Sequence, residues 1–473
     1  MQLNDGYIDS LENRGVLQSR FTGAPFRSPA LFVNRAPRIS PVPLMMFVMF
    51  LWLLAGNICQ IAAQFDFEQL PIDYHSSKSV DSLMELQSRL QSHDIHSRYD
   101  TEKGYLPWLL KELKVSESSQ VLVFSKTSAQ VRRISPSIPR AIYFNDHTYV
   151  AWIPRAELIE IMAVDAQLGP VFYTLAQTDP MHVRFRRDQG QCLLCHASPR
   201  TQRVPGAMVR SMQVDINGLP LFEAPHVTTD HRTPFVRRWG GWYVTGNHAT
   251  MRHMGNTFLR NRRDPEPFNY REGANLIDLG QYVKLDLYPT PHSDLVALMV
   301  LEHQSQMLNH LTKANFETRM AVDYDNVLNR ALDRPMDFRS KSTRRRIASV
   351  GETLVKYLLF IDEYRLKGSV SGTSQFTTVF ASAGPRDRQG RSLRDFDLER
   401  SLFKYPCSYM IYTPSFTNLP DTVRAYVTRR MQEILFSSSR RPPFDQLSDS
   451  DCRNVREILA DTLPGLWRPT ISN

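Results

Sequence analysis

The chain has 473 residues, of which 42% are hydrophobic and 10% aromatic, which is enough for two or three cored domains and excludes a disordered or fibrous protein. With 22% charged residues and a negative mean hydropathy, it is not a multi-span membrane protein. The net charge of +9 is dispersed, as at Arg184, Arg186, Arg187, Arg237, Arg238 and over residues 341–346. It reads either as a solvated basic face or as a surface for an acidic partner or anionic lipid; no zinc-finger, helix-turn-helix or RNA-platform signature points to nucleic acid.

Residues 44–55 are an unbroken apolar run, preceded by Arg20, Arg27, Arg35 and Arg38 and followed by Ala62 and Ala63. The run is short for a membrane span of roughly 20 residues and suits the core of an export signal. Residues 1–63 therefore read as a signal peptide cleaved near Ala63 or, if the run extends through Ile58 and Ile61, as an uncleaved membrane anchor.

Residues 64–190 follow as a β-rich α+β region. A polar helix is expected over 82–97. Short runs rich in β-branched and aromatic residues, at 121–124, 141–144, 149–153, 159–164 and 171–174, are bounded by Pro, Asn, Asp or Gly and predict a small antiparallel sheet. Residues 191–291 are dense in Gly, Pro, His, Trp and Met without a sustained helical period, so loops are expected to wrap a cofactor in place of a large apolar core. Residues 292–473 turn helical, with three- and four-residue apolar spacing over 293–318, 344–367, 422–435 and 449–462 and a Ser/Arg/Pro-rich loop at 437–450. The expected class is α+β: a small antiparallel β-rich N-terminal part, a loop-rich middle and a mainly α-helical C-terminal part.

The chemistry concentrates in Gln191-Cys192-Leu193-Leu194-Cys195-His196. Cys-x-x-Cys-His is the arrangement of c-type haem attachment: two thiols add across the haem vinyl groups, and the adjacent imidazole then reaches the iron from one side of the ring. Residue frequencies give roughly 0.0014 chance occurrences in a chain of this composition. A zinc site and a redox dithiol also use Cys-x-x-Cys, but neither needs the following histidine, and zinc ordinarily asks for a second ligand pair. Haem attachment occurs outside the cytoplasm, in keeping with the N-terminal signal. Of the remaining cysteines, Cys59 lies in the signal, while Cys407 and Cys452 are either a disulfide or two unrelated buried thiols.

On these residues the chain resembles bacterial c-type cytochromes, and over its mature length large, uncharacterised cytochrome-c-domain proteins with one such motif and an N-terminal signal or anchor. The segments 238–246 and 384–393 look like signatures of such proteins. The resemblance implies one haem c per chain, held by Cys192 and Cys195 with His196 as proximal axial ligand. It also implies a location in the periplasm or on the outer face of the inner membrane, and redox proteins, some of them acidic, as partners.

A second axial ligand separates an electron carrier from an open, substrate-binding iron. His248, His253 and Met254 lie in the densest ligand-bearing stretch, which reads equally as a polar loop. His231 has Asp230 beside it as an orienting carboxylate. His303 and His310 interrupt an apolar stripe of Val296, Met299, Met307 and Ala314, where a core histidine bound to backbone is the commoner outcome. Trp239, Trp242 and Tyr243 are candidates to pack on the porphyrin or in plain core, and Arg391 and Arg394 to meet its propionates. Electron transfer is the leading expectation; a peroxidase-like oxidoreductase with an open distal site, or a haem-based sensor, is the alternative.

Overall fold

The computed structural model describes residues 66–178, 183–260 and 269–467, all within one unit spanning 65–473. The apolar run at 44–55 and Cys59 lie outside the described residues. No helix among the described residues is long and apolar enough to cross a membrane.

The architecture is mixed α and β. Six strands, β1 (Val121–Val123), β2 (Arg140–Phe144), β3 (Thr148–Trp152), β4 (Leu158–Asp165), β5 (Gly169–Ala176) and β6 (Phe185–Arg187), form one antiparallel sheet in sequence order. All five expected strands are present within two residues of their predicted ends, and β6 is added on the edge, where Leu175 faces Phe185. Ahead of the sheet run α1 (Ser82–Gln91) and α2 (Leu106–Glu112). Asp81 starts α1 by accepting the N–H groups of Leu83 and Met84, and its second oxygen accepts the Tyr173 hydroxyl, which ties the helix to β5.

The middle of the chain carries a single turn of helix, α3 (Leu193–His196), then two small ladders. One pairs β7 (Val209–Ser211) with β8 (Val227–Thr229); the other pairs β9 (Gly246–Asn247) with β10 (Ser371–Gly372). The expectation that residues 191–291 lack a large apolar core is not met. Val209, Met212, Val214, Phe235, Trp239, Trp242, Tyr243 and Val244 are buried here and join the same hydrophobic cluster as the sheet and the helices. Aromatic side chains, each removing a large area from water, give these loops a core without regular structure.

The organising element is α4 (Leu295–Ala331), 37 residues and so about 55 Å long. Every residue from 295 to 305 is buried, which is why its apolar face looks indistinct in sequence: the N-terminal half has no solvent side. Asp294 caps it, one carboxylate oxygen accepting Val296 and Ala297 N–H, the other Thr373 and Ser374 N–H and the Ser374 hydroxyl. Helix α5 (Lys341–Leu358) packs on α4, followed by the short α6 (Phe376–Ser382) and α7 (Pro414–Thr417). Helix α8 (Asp421–Phe436) packs on α5, then α9 (Asp449–Thr462) on α8, and α10 (Pro464–Trp467) ends the described chain. Cys407 and Cys452 are both buried and both free, so no disulfide joins them.

Candidate haem-attachment site

The Cys-x-x-Cys-His motif sits where β6 hands over to α3. Asp188 N–H donates to the Phe172 carbonyl, which anchors it to β5, and its carboxylate accepts the N–H groups of Gly190 and Cys192 at 2.9 Å each. The chain then closes one helical turn, with Cys195 and His196 N–H both donating to the Cys192 carbonyl. This turn carries both thiols and the imidazole on one short segment. Cys195 is exposed, Cys192 half-buried, and Leu194 between them is 77% exposed, so the thiols line the surface rather than an interior pocket.

His196 is held by a reciprocal clamp. Its backbone carbonyl accepts Gly206 N–H at 2.8 Å and the Thr201 hydroxyl at 3.0 Å, while its ring Nδ1 donates to the Gly206 carbonyl at 2.8 Å. The proton is thereby placed on Nδ1 and the lone pair on Nε2, which makes no hydrogen bond among the described residues. The Phe172 ring lies against the imidazole, with centroids 4.9 Å apart. Burial holds His196 below the ordinary histidine range, so the ring is neutral, with Gly206 pulling weakly the other way.

Gly206 is fixed in turn by the buried helix. Asn309 of α4 accepts Ala207 N–H at 2.9 Å and donates to the Ala207 carbonyl at 2.8 Å, and a Cβ on Gly206 would fall 2.2 Å from the Asn309 Oδ1. At the next helix residue, Gln202 donates to His310 Nδ1 at 2.9 Å. The helix therefore sets the imidazole through two residues of loop, an orienting arrangement of the kind that tunes metal-bound histidines. Asp188, Gly206 and Asn309 carry no sequence signal of their own; only the fold reveals them.

The surroundings of Cys192 disfavour the thiolate that a redox dithiol would use. Cys192 is pushed up to about 12 by burial first and by the Asp188 carboxylate second, whereas a redox dithiol needs a thiolate near neutral pH. Among the described residues no group of three or more His, Cys, Asp or Glu is placed to hold a metal ion. For a c-type haem the fit is good: two free thiols and a neutral, oriented imidazole with its Nε2 lone pair unspent.

The residues expected as candidates for a second axial ligand fall into two other clusters, and no hydrogen bond or ring contact among the described residues joins them to His196. His248 and His253 pack against each other at 4.7 Å beside Phe235 and Trp239. His248 Nε2 accepts Asn275 N–H, and His253 Nδ1 accepts Gly255 N–H. The Met254 sulfur accepts the Ser211 hydroxyl at 3.7 Å. His231 and His303 share a proton between their Nδ1 atoms at 2.8 Å, and His303 Nε2 meets the Ser408 Oγ at 2.7 Å. Burial holds both imidazoles far below the histidine range, so the pair is neutral. Ser408 is wholly buried and its Oγ also accepts Met410 N–H, which makes it a structural hydroxyl rather than a nucleophile.

Around this second cluster Tyr357 contacts His231, His303 and His310, and Arg238 forms a buried ion pair with Glu302 at 3.1 Å. Trp242 donates to the Arg210 carbonyl and Tyr243 to the Pro136 carbonyl, both as core. Arg391 is engaged by Asp387 and Glu457, and Arg394 by Asp146. Compared with family models, with curated proteins and with solved structures, the chain matches none.

Proposed function

We propose that the chain is an exported monohaem c-type cytochrome, which transfers electrons through one haem c bonded to Cys192 and Cys195 and ligated by His196. The single observation that carries this reading is the clamp on His196. A Cys-x-x-Cys-His turn is weak evidence when its imidazole is spent elsewhere, but here Nδ1 is satisfied by Gly206 and Nε2 stands unengaged beside two free thiols. Each thioether forms by addition of a thiol S–H across a vinyl group, sulfur going to one carbon and hydrogen to the other, with nothing lost.

When bound, the haem supplies a one-electron couple; the rest of the work belongs to the chain. Asp188 holds the start of the turn so that both sulfurs are presented together. Gly206, braced by Asn309, keeps the imidazole lone pair in one direction through the redox cycle, and its carbonyl raises the basicity of the ring. Phe172 shields one side of the ring from water. The exposed Leu194 and Cys195 mark the edge at which a partner protein approaches, and the dispersed basic residues favour an acidic one. Export to the periplasm or the outer face of the inner membrane rests on the N-terminal apolar run.

The test is expression with a cytochrome c maturation system, followed by haem-stained denaturing gels and ferric and ferrous spectra. The parent is expected to stain, and Cys192→Ala and Cys195→Ala to lose thioether attachment one bond at a time. A parent that carries no covalent haem overturns the proposal. A high-spin spectrum that responds to carbon monoxide would move the assignment to an oxidoreductase or sensor with an open iron.

A further inference from the structure

Helix α4 starts in the core at Leu295 and leaves it at its other end. Residues 330–338, which finish the helix and begin the turn into α5, are all exposed. Large apolar side chains gather there: Tyr324, Val327, Leu332, Met336 and Phe338, within fifteen positions, are between 41% and 61% exposed. Tyr324 and Val327 share the side of α4 that faces away from the buried Ala321, Asp325 and Asn329. The turn that follows has a fixed shape. Asn329 donates to the Phe338 carbonyl at 3.0 Å, and Arg339 donates to the Met336 and Phe338 carbonyls at 2.8 and 2.9 Å. Arg334 lies over the Phe338 ring at 5.3 Å. Polar bonds therefore hold a conformation that leaves Leu332, Met336 and Phe338 in water. Single exposed apolar residues need no explanation, but a group this dense marks a contact surface.

Cations flank the group. The side chains of Arg330, Lys341, Arg344 and Arg345 are exposed and have no ion pair or hydrogen bond among the described residues. Lys341, Arg344 and Arg345 fall on the side of α5 away from its buried Thr343 and Ile347, while Arg346 beside them is engaged by Glu317. Between 330 and 346 seven cations stand against two carboxylates, Asp333 and Asp337, so the surface is basic as well as apolar. Apolar side chains bordered by unpaired arginine and lysine suit the boundary of an anionic bilayer, where the alkyl parts enter the acyl layer and the cations meet phosphates. The two aspartates at the turn restrict this to a shallow insertion at headgroup level, in keeping with the absence of a described helix able to span.

We propose that the α4–α5 turn docks on the surface of an anionic phospholipid bilayer. The proposal is independent of the haem. Hydrogen exchange of residues 330–338 in the full chain tests it, with phosphatidylglycerol-rich vesicles, pure phosphatidylcholine vesicles and polyglutamate as probes. The readout is local, so attachment through the N-terminal segment does not imitate it. Exchange there should slow about fivefold or more on the anionic vesicles and stay unchanged on the neutral ones. Arg344→Gln with Arg345→Gln removes roughly fivefold in affinity per cation, and Leu332→Ser with Met336→Ser removes apolar contact; each pair should return exchange to within about twofold of the vesicle-free rate. All four positions are exposed, and an unchanged urea midpoint shows that each variant is folded. Unslowed exchange on anionic vesicles, equal slowing on neutral ones, or full protection in both variants overturns the proposal. Slowing by polyglutamate without slowing by vesicles also overturns it, in favour of an acidic protein.

Discussion

Replacing Asn309 with alanine tests whether the buried helix sets the attachment site. The parent side chain satisfies both backbone groups of Ala207 at 2.8 and 2.9 Å in a position with no exposure. Removing it orphans a buried N–H and a buried C=O, each worth about 1–3 kcal/mol, so a loss of about 2–6 kcal/mol is expected from a total stability of about 5–15 kcal/mol. The variant should fold but unfold at distinctly lower urea. Asn309→Asp should not rescue it, because the second carboxylate oxygen would face the Ala207 carbonyl. The 15N shifts of His196 should move from one fixed tautomer toward an average as the Gly206 carbonyl loosens. A stability change under about 0.5 kcal/mol together with unchanged His196 shifts would refute the claim that α4 positions the imidazole.

Gly206→Ala places a Cβ 2.2 Å from Asn309 Oδ1 and 2.8 Å from Thr201 Cβ, and should cost about 1–3 kcal/mol. Combined with Asn309→Ala the cost should be less than the sum, a coupling readable from a double-mutant cycle in urea. Arg238→Met strands Glu302 in the interior and should cost about 3–5 kcal/mol, whereas Arg238→Met with Glu302→Leu should recover most of it; equal losses in the two would count against the ion pair. For pH, His231, His253, His303 and His310 are all held below the histidine range by burial, His253 and His310 at about 3. The unfolded chain takes up their protons first, so each loses about 1.4 kcal/mol of stability as pH falls from 7.5 to 5.5. Burial raises Glu302 and Glu363 to about 7, so the folded chain binds those protons first and offsets part of that loss over the same window. The histidines lowered by burial, His196 and His248 among them, outnumber the raised carboxyls, so the net expectation is a loss of stability by pH 5.5 in urea titrations. Constant or rising stability there would show that the histidines are not buried neutral.

The sheet was legible because its strands are runs of Val, Ile, Tyr and Phe cut by Pro, Asn and Gly, a local signal that survives without context. Strand β6, Phe-Arg-Arg, was not, since two of its three residues are charged and only pairing with β5 makes it a strand. The central helix was expected to end near 318 and runs to Ala331. Its last turns bury Asp325 and Asn329, which bond Ser340 N–H and the Phe338 carbonyl, so polar residues occupy core positions and the apolar period fades while the helix continues. The helix expected over 344–367 stops at Leu358, although Leu359, Phe360 and Ile361 remain buried. Apolar spacing there marked burial, not helix. The Cys192, Cys195 and His196 triplet stands out from spacing alone, because its three residues are neighbours in sequence. Gly206 and Asn309, which hold its imidazole, carry no such signal, because orienting groups need only be neighbours in space.

Asp294 does more than begin a helix. Its carboxylate binds the first turn of α4 with one oxygen and the segment at 373–374 with the other, so the helix cannot slide or turn about its own axis without breaking a buried junction. Asn309 lies fifteen residues further along, about 22 Å down the axis. A slip of one residue would carry its amide about 1.5 Å along the axis and 100° around it, out of reach of Ala207. The cap is thus the origin from which the axial position of the imidazole brace is measured, and changes at Thr373 or Ser374, remote in sequence from the cysteines, act on the same coordinate.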